Sequence, residues 1–65
     1  MRSRLIERAS AKAVESGKVW LVVSVDAGEY RRFKVVPDEY ADSDEFFAFD
    51  GAIEALCYPE GTVSR

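Results

Sequence analysis

Residues 18–36 carry the clearest alternation of apolar and polar positions in the chain. From Val19 to Val25 the side chains are almost all β-branched or aromatic, which is typical of a β-strand. Asp26-Ala27-Gly28 then supplies turn residues, and the stretch from Glu29 to Val36 alternates again. The pattern predicts a β-hairpin on which the rest of the sheet is built.

The register of this hairpin is predicted from a turn in which Gly28 is left-handed. Such a turn places Leu21 opposite Phe33, and a slip of one residue would move Phe33 to the other face. One predicted face is apolar and consists of Val19, Leu21, Val23, Phe33 and Val35. The other face carries Trp20, Val22, Ser24, Tyr30, Arg32 and Lys34, with Trp20 across from Lys34 and Val22 across from Arg32.

An amphipathic helix is predicted before the hairpin, over Ser3 to Ser16. Ser3 can cap its start, and Gly17 suits the left-handed position just after its end. At 100° per residue a narrow apolar stripe forms, made of Leu5, Ile6, Ala9 and Ala13. The small residues of this stripe would let the helix lie close to a sheet.

Three further segments are predicted after Pro37, which ends the second strand because proline cannot donate to a ladder. The acidic connection 38–45 includes at most one helical turn, capped by Asp38. Phe46 to Asp50 is interpreted as a third strand with Phe47 and Phe49 in the core. Asp50 then caps a short helix from Gly51 to Cys57, although residues 52–58 also fit a fourth strand. The last residues, 62–65, are expected to be frayed.

This order of elements predicts an α+β fold made of one small domain, residues 1–65. It has an N-terminal helix, a three-stranded antiparallel sheet built on the hairpin and a short C-terminal helix, and helix covers one face of the sheet.

Composition argues against most enzyme chemistry. The 65 residues include one cysteine and no histidine, so we expect neither a zinc site nor the usual general base. Cys57 lies among apolar residues and carboxylates, and is interpreted as a buried structural cysteine rather than a nucleophile. The acidic connection lacks the spacing of a calcium loop. We therefore expect no catalytic residue, no metal, no cofactor and no small-molecule substrate.

The chain also lacks the sequence features of a membrane or secreted protein. No apolar run approaches the ~20 residues of a membrane span. Glu7, Arg8 and Lys12 interrupt the apolar core that a signal peptide would need. A cytoplasmic location is expected.

Charge is distributed unevenly along the chain. Residues 1–36 carry eight basic and four acidic side chains, a balance of +4, whereas residues 37–65 carry one basic and eight acidic side chains, a balance of −7. An acidic surface of this kind can occupy a basic channel that normally holds nucleic acid. The residues expected to bind such a partner are Asp38, Glu39, Asp42, Asp44, Glu45 and Asp50.

The polar face of the hairpin indicates an alternative. Aromatic and basic side chains together are what single-stranded nucleic acid binders use for stacking and phosphate contact. The residues expected to do so are Trp20, Tyr30, Arg31, Arg32 and Lys34. The same face could pair across a two-fold axis in a homodimer. Arg32 and Lys34 would then be desolvated near their own copies, so a monomer is preferred.

In size, acidity and order of elements, the chain resembles the small anti-CRISPR proteins encoded by phages. Several families of that class block the DNA-binding surface of an effector complex by mimicking the charge of DNA. The resemblance covers the whole chain but includes no diagnostic motif, so no site residue is carried over. It implies a non-enzymatic inhibitor of a host defence complex such as a CRISPR effector, acting in the cytoplasm of a bacterial host cell. The alternative is a small nucleic-acid-binding or regulatory module.

Overall fold

A four-stranded antiparallel sheet lies between two helical layers in the computed structural model, which describes the backbone of residues 2–65 and the side chains of residues 4–65. The elements are α1 (Arg2–Ser16), β1 (Trp20–Asp26), β2 (Arg31–Pro37), a 3-10 helix (Asp38–Asp42), α2 (Asp44–Ala48), β3 (Ala52–Cys57) and β4 (Val63–Ser64). The strand order is β2-β1-β3-β4. The α+β class and the N-terminal helix are confirmed. The sheet has four strands rather than three, and the second α-helix precedes β3 instead of ending the chain.

Helix α1 forms as its hydrophobic stripe predicts. Ala9 and Ala13 are fully buried against the sheet, with Leu5 and Ile6 packed beside them. The helix ends at Ser16, and the Gly17 N–H donates to the carbonyl oxygen of Ala13 at 2.9 Å with the glycine at a φ of +71°. The predicted cap by the side chain of Ser3 lies outside the described side chains.

The hairpin is present, but its predicted register is wrong. Leu21 lies opposite Val36 rather than Phe33, and Val22 lies opposite Val35 rather than Arg32. Four residues, 27–30, connect the strands, and the Asp26 carboxylate accepts a hydrogen bond from the Gly28 N–H at 2.8 Å. Because all residues of β1 from 21 to 25 are buried, β1 faces apolar layers on both sides and has no polar face that could set the register.

The observed register separates two hydrophobic clusters, one on each face of the sheet. The cluster under α1 contains Val22, Ala55 and Cys57, with Phe33 and Val35 of β2 at its margin. The cluster on the opposite face contains Leu21, Val23 and Phe46. The expectation that helix covers only one face is therefore wrong.

The second helical layer replaces the predicted strand 46–50. The Ser43 side chain caps α2 by accepting a hydrogen bond from the Phe46 N–H at 3.2 Å, so Asp38 is not the cap in this segment. Phe46 is only 8% exposed and packs on the sheet, whereas Phe47 and Phe49 are 69% and 51% exposed. The prediction that Phe47 and Phe49 belong to the core is wrong, because helical geometry turns just one of the three rings inward.

Residues 52–57 form strand β3, so the alternative left open by the sequence is correct and the predicted helix from Gly51 to Cys57 is wrong. Ala55 and Cys57 face α1 with the two-residue period of a strand. A β-bulge interrupts the pairing with β1 between Val22 and Val23. The expected fraying of residues 62–65 is also wrong for β4, which pairs Val63 and Ser64 with β3.

Candidate functional site: an acidic–aromatic surface and an arginine groove

Half of the predicted acidic binding set is engaged in ion pairs with the basic N-terminal half of the chain. Glu39 lies 3.0 Å from the Lys18 ammonium, and Glu45 lies 2.8 Å from the Lys34 ammonium. The Asp50 carboxylate lies 3.6 Å from the Arg31 guanidinium. The basic and acidic residues lie in different halves of the sequence, but the fold brings several of them together in space. These three carboxylates are therefore partly neutralised before any partner arrives.

The ionisation of the paired groups follows from these contacts. The pKa of Glu39 is lowered mainly by a hydrogen bond to backbone N–H, and next by the hydrogen bond from Lys18. The pKa of Glu45 is lowered chiefly by the hydrogen bond from Lys34, and the same bond raises the pKa of that lysine. Glu39, Glu45 and Lys34 are all accessible to water, so salt screens these ion pairs.

Asp38, Asp42 and Asp44 are the other half of that set. They are exposed, and none has an ion pair within the described part of the chain. Phe47 and Phe49 project into solvent from the same segment. We call Asp38, Asp42, Asp44, Phe47 and Phe49 the acidic–aromatic surface. Exposed aromatic and charged side chains in one segment are typical of protein interfaces, where an apolar centre is surrounded by a polar rim.

The predicted basic-aromatic set is divided between the two faces of the sheet. Trp20 lies on the side of α1, where its indole N–H donates to the Ser16 hydroxyl at 2.8 Å and the Lys12 ammonium lies 5.8 Å from its ring centroid. Lys34 lies on the opposite side, over the ring of Tyr40 at 5.6 Å. Trp20 therefore does not lie across from Lys34, and the two side chains cannot belong to one surface.

Arg31 has a structural position. Its guanidinium donates to the Ser24 hydroxyl at 3.1 Å, to the Ser24 carbonyl oxygen at 3.0 Å and to the Asp50 carbonyl oxygen at 2.7 Å. Ser24 is fully buried, and its hydroxyl donates to Glu54 at 2.8 Å. Arg31 thus joins β1, β2 and the turn before β3, which holds the beginning of β2 in place.

Tyr30 and Arg32, the other two members of that set, line a groove between α1 and β2. The groove has a volume of about 540 Å³. We call it the arginine groove; its lining residues are Arg4, Leu5, Arg8, Tyr30, Arg31, Arg32 and Phe33. Arg4 and Arg8 were not among the residues that the sequence predicted to bind nucleic acid. Their spacing of four residues, beside Leu5 of the apolar stripe, places them on one side of the helix and was the available signal.

Cys57 lies in the core beneath α1 and is fully buried. Its thiol lies 3.7 Å from the carbonyl oxygen of Ile6, and burial raises its pKa. Both features disfavour the thiolate that nucleophilic chemistry requires.

Comparison with protein-family models, with curated proteins and with solved structures found no match to this chain. Within residues 2–65, no helix combines the length and the apolar character that crossing a bilayer demands.

Proposed function

We propose that this protein is a non-enzymatic inhibitor that binds another protein through the acidic–aromatic surface. The observation that supports this most strongly is the exposure of Phe47 and Phe49 in a segment that also carries three carboxylates without ion pairs. Burying an exposed phenylalanine yields ~1.5–3 kcal/mol, so two rings can anchor a complex.

The chemistry of the surface defines the partner. Asp38, Asp42 and Asp44 favour a cationic rim, and the two phenylalanines favour an apolar pocket within it. A basic surface that normally binds nucleic acid meets the first requirement, because its field attracts any anion of matching shape. The partner implied by the resemblance to anti-CRISPR proteins is the DNA-binding surface of a CRISPR effector in the bacterial cytoplasm. We propose that the protein acts as a monomer, since each chain carries a complete acidic–aromatic surface.

Charge reversal tests the electrostatic half of this proposal. Replacing Asp38, Asp42 and Asp44 with lysine changes the net charge from −3 to +3, because each replacement adds two units of positive charge. The matched control reverses Glu15, Glu29 and Glu60, which are also exposed and have no ion pair in the described residues. Affinity for guide-loaded CRISPR effector complexes would be measured by biolayer interferometry at several salt concentrations.

We expect the aspartate variant to bind roughly 5- to 150-fold more weakly, the equivalent of ~0.3–1 kcal/mol for each lost pair. Wild-type affinity should fall as salt rises. Equal losses in the aspartate variant and the glutamate control would mean that only net charge matters, and would refute a localised surface.

Truncation of the aromatic rings tests the other half. Replacing both Phe47 and Phe49 with alanine should weaken binding by more than about tenfold, because the partly exposed rings together offer ~2–3 kcal/mol of further burial. Tyr30→Ala is the matched control, since Tyr30 is an aromatic residue that is 65% exposed on a different surface. If Tyr30→Ala weakens effector binding as much as the double phenylalanine variant, the acidic–aromatic surface is not the interface.

A further inference from the structure

We propose that the arginine groove is a second binding site, and that its ligand is single-stranded nucleic acid. Arg4 and Arg8 approach it from α1, and Arg31 approaches it from the beginning of β2. The side chain of Arg32 lies on the opposite face of β2, with Lys34 and Glu45. Neither the Arg4 nor the Arg8 guanidinium has a carboxylate within 4 Å in the part of the chain that the structure describes, whereas the Arg31 guanidinium is paired with Asp50. Arginine stays charged at any physiological pH, so Arg4 and Arg8 bring two positive charges without a close carboxylate to the helical wall of the groove.

The walls of the groove supply a second kind of recognition. Tyr30 is 65% exposed at its edge, and Leu5 and half-buried Phe33 continue the apolar lining. A base of a single strand can stack on such a ring, whereas a base inside a duplex is already stacked on its neighbours. The volume of about 540 Å³ lies within the range of sites that hold a small organic ligand. Guanidinium groups around an aromatic ring match a unit made of phosphate and base.

The groove is held in shape before any ligand binds. Arg31 lies between Tyr30 and Arg32 in sequence, and its hydrogen bonds to Ser24 and Asp50 hold the beginning of β2. The other wall is a helix whose alanine stripe is packed directly on the sheet. Preorganised walls reduce the entropy lost on binding. This inference uses none of the residues of the acidic–aromatic surface, so either proposal can fail without the other.

Fluorescence anisotropy with a labelled oligothymidine of 12 nucleotides is the test. We expect binding at low salt, with a dependence on salt concentration near −1.4 on logarithmic axes, since each of two phosphate contacts to a single strand contributes about −0.7. Replacing Arg4 and Arg8 with alanine should remove most of this slope, a change of about 1.4. The control replaces Lys12 and Arg65, which removes the same charge outside the groove and should leave the slope nearly unchanged.

Tyr30→Ala tests stacking separately from charge. We expect it to bind the oligonucleotide roughly 5- to 150-fold more weakly, the equivalent of ~1–3 kcal/mol for one stacked base. Phe47→Ala is the control and should bind as wild type does. Circular dichroism of each variant would confirm that the fold is retained.

Three results would overturn the proposal. One is the absence of any anisotropy change at about 100 μM protein, a concentration at which even non-specific binding is visible. Another is equal affinity for the single strand and for a duplex of the same length. The last is equal affinity for the oligonucleotide and for a polyglutamate peptide, which would show that the groove binds anionic chains without recognising bases.

Discussion

The three phenylalanines of residues 46–49 offer a sharp test of the fold, because they are adjacent in sequence and differ in burial. Phe46 packs on Leu21 and Val23, with its ring 6.0 Å from that of Tyr40 in an edge-to-face arrangement. Truncating a buried phenylalanine to alanine costs ~3–5 kcal/mol. A domain of this length has a total stability of about 3–10 kcal/mol, so Phe46→Ala should remove a large part of it.

Phe47→Ala and Phe49→Ala should each lower the free energy of unfolding by less than ~1.5 kcal/mol, because at least half of each ring is exposed and the Phe47 ring contacts Phe46 only edge-to-face, at 5.8 Å. Urea denaturation followed by circular dichroism would measure all three variants against wild type. A loss of 3 kcal/mol corresponds to about 12–24 °C in Tm for a domain of this size. If Phe47→Ala or Phe49→Ala proved as destabilising as Phe46→Ala, the segment would not be the capped helix described above.

Three further perturbations follow from individual contacts. Gly51→Ala should destabilise the protein by ~1–3 kcal/mol in urea denaturation, because a Cβ there would overlap the ring of Phe46; wild-type stability would contradict that packing. The pKa values of Glu39 and Glu45 are lowered, for Glu39 first by the backbone hydrogen bond and then by Lys18, and for Glu45 by Lys34. These contacts should therefore stabilise the fold above the ordinary glutamate pKa of 4.5, and the contribution should be lost as the pH falls through and below that value. The urea midpoint of a Glu39→Gln/Glu45→Gln variant should therefore fall less than that of wild type between about pH 6 and about pH 3, and equal falls would refute the assignment. Cys57 should react with a thiol reagent more than about tenfold more slowly in the native protein than in urea, and equal rates would show that the core opens readily.

The sequence predicted those parts of the fold that depend on local signals. Helix α1 follows from its apolar stripe and from Gly17, and the existence of the hairpin follows from two apolar strands around Asp26 and Gly28. The register could not be predicted, because the alternation rule assumes that one face of a strand is wet. In β1 the second face is covered by Phe46, a residue 20 or more positions away.

The short segments after Pro37 show a different difficulty. A run such as Phe46–Phe49 is too short for its apolar pattern to distinguish a strand from a helical turn. The decisive signal was polar: Ser43 followed by Asp44 and Glu45 is a helix N-terminus with acidic residues in the first turn. Residues 52–57 are also a short apolar run, so their pattern fitted both a helix and a strand.

The arginine groove and the ion pairs of the acidic residues depend on contacts between distant parts of the chain. The arginine groove joins residues 4–8 to residues 30–33, and the ion pairs of Glu39 and Asp50 link residues 21 and 19 positions apart. Charge counts along the sequence correctly locate the acidic residues, but they do not reveal which of them the fold neutralises. Phe47 and Phe49 were assigned to the core, so the aromatic half of the acidic–aromatic surface became visible only in three dimensions.

The most direct test of the proposed inhibitor is competition between this protein and DNA for one effector. A guide-loaded CRISPR effector would be titrated with the protein in the presence of increasing concentrations of labelled target DNA. We expect mutually exclusive binding, with an apparent Kd for the protein that rises in proportion to the DNA concentration. A stable ternary complex of effector, DNA and protein, with an unchanged Kd, would contradict the proposal that the acidic–aromatic surface occupies the nucleic-acid-binding site.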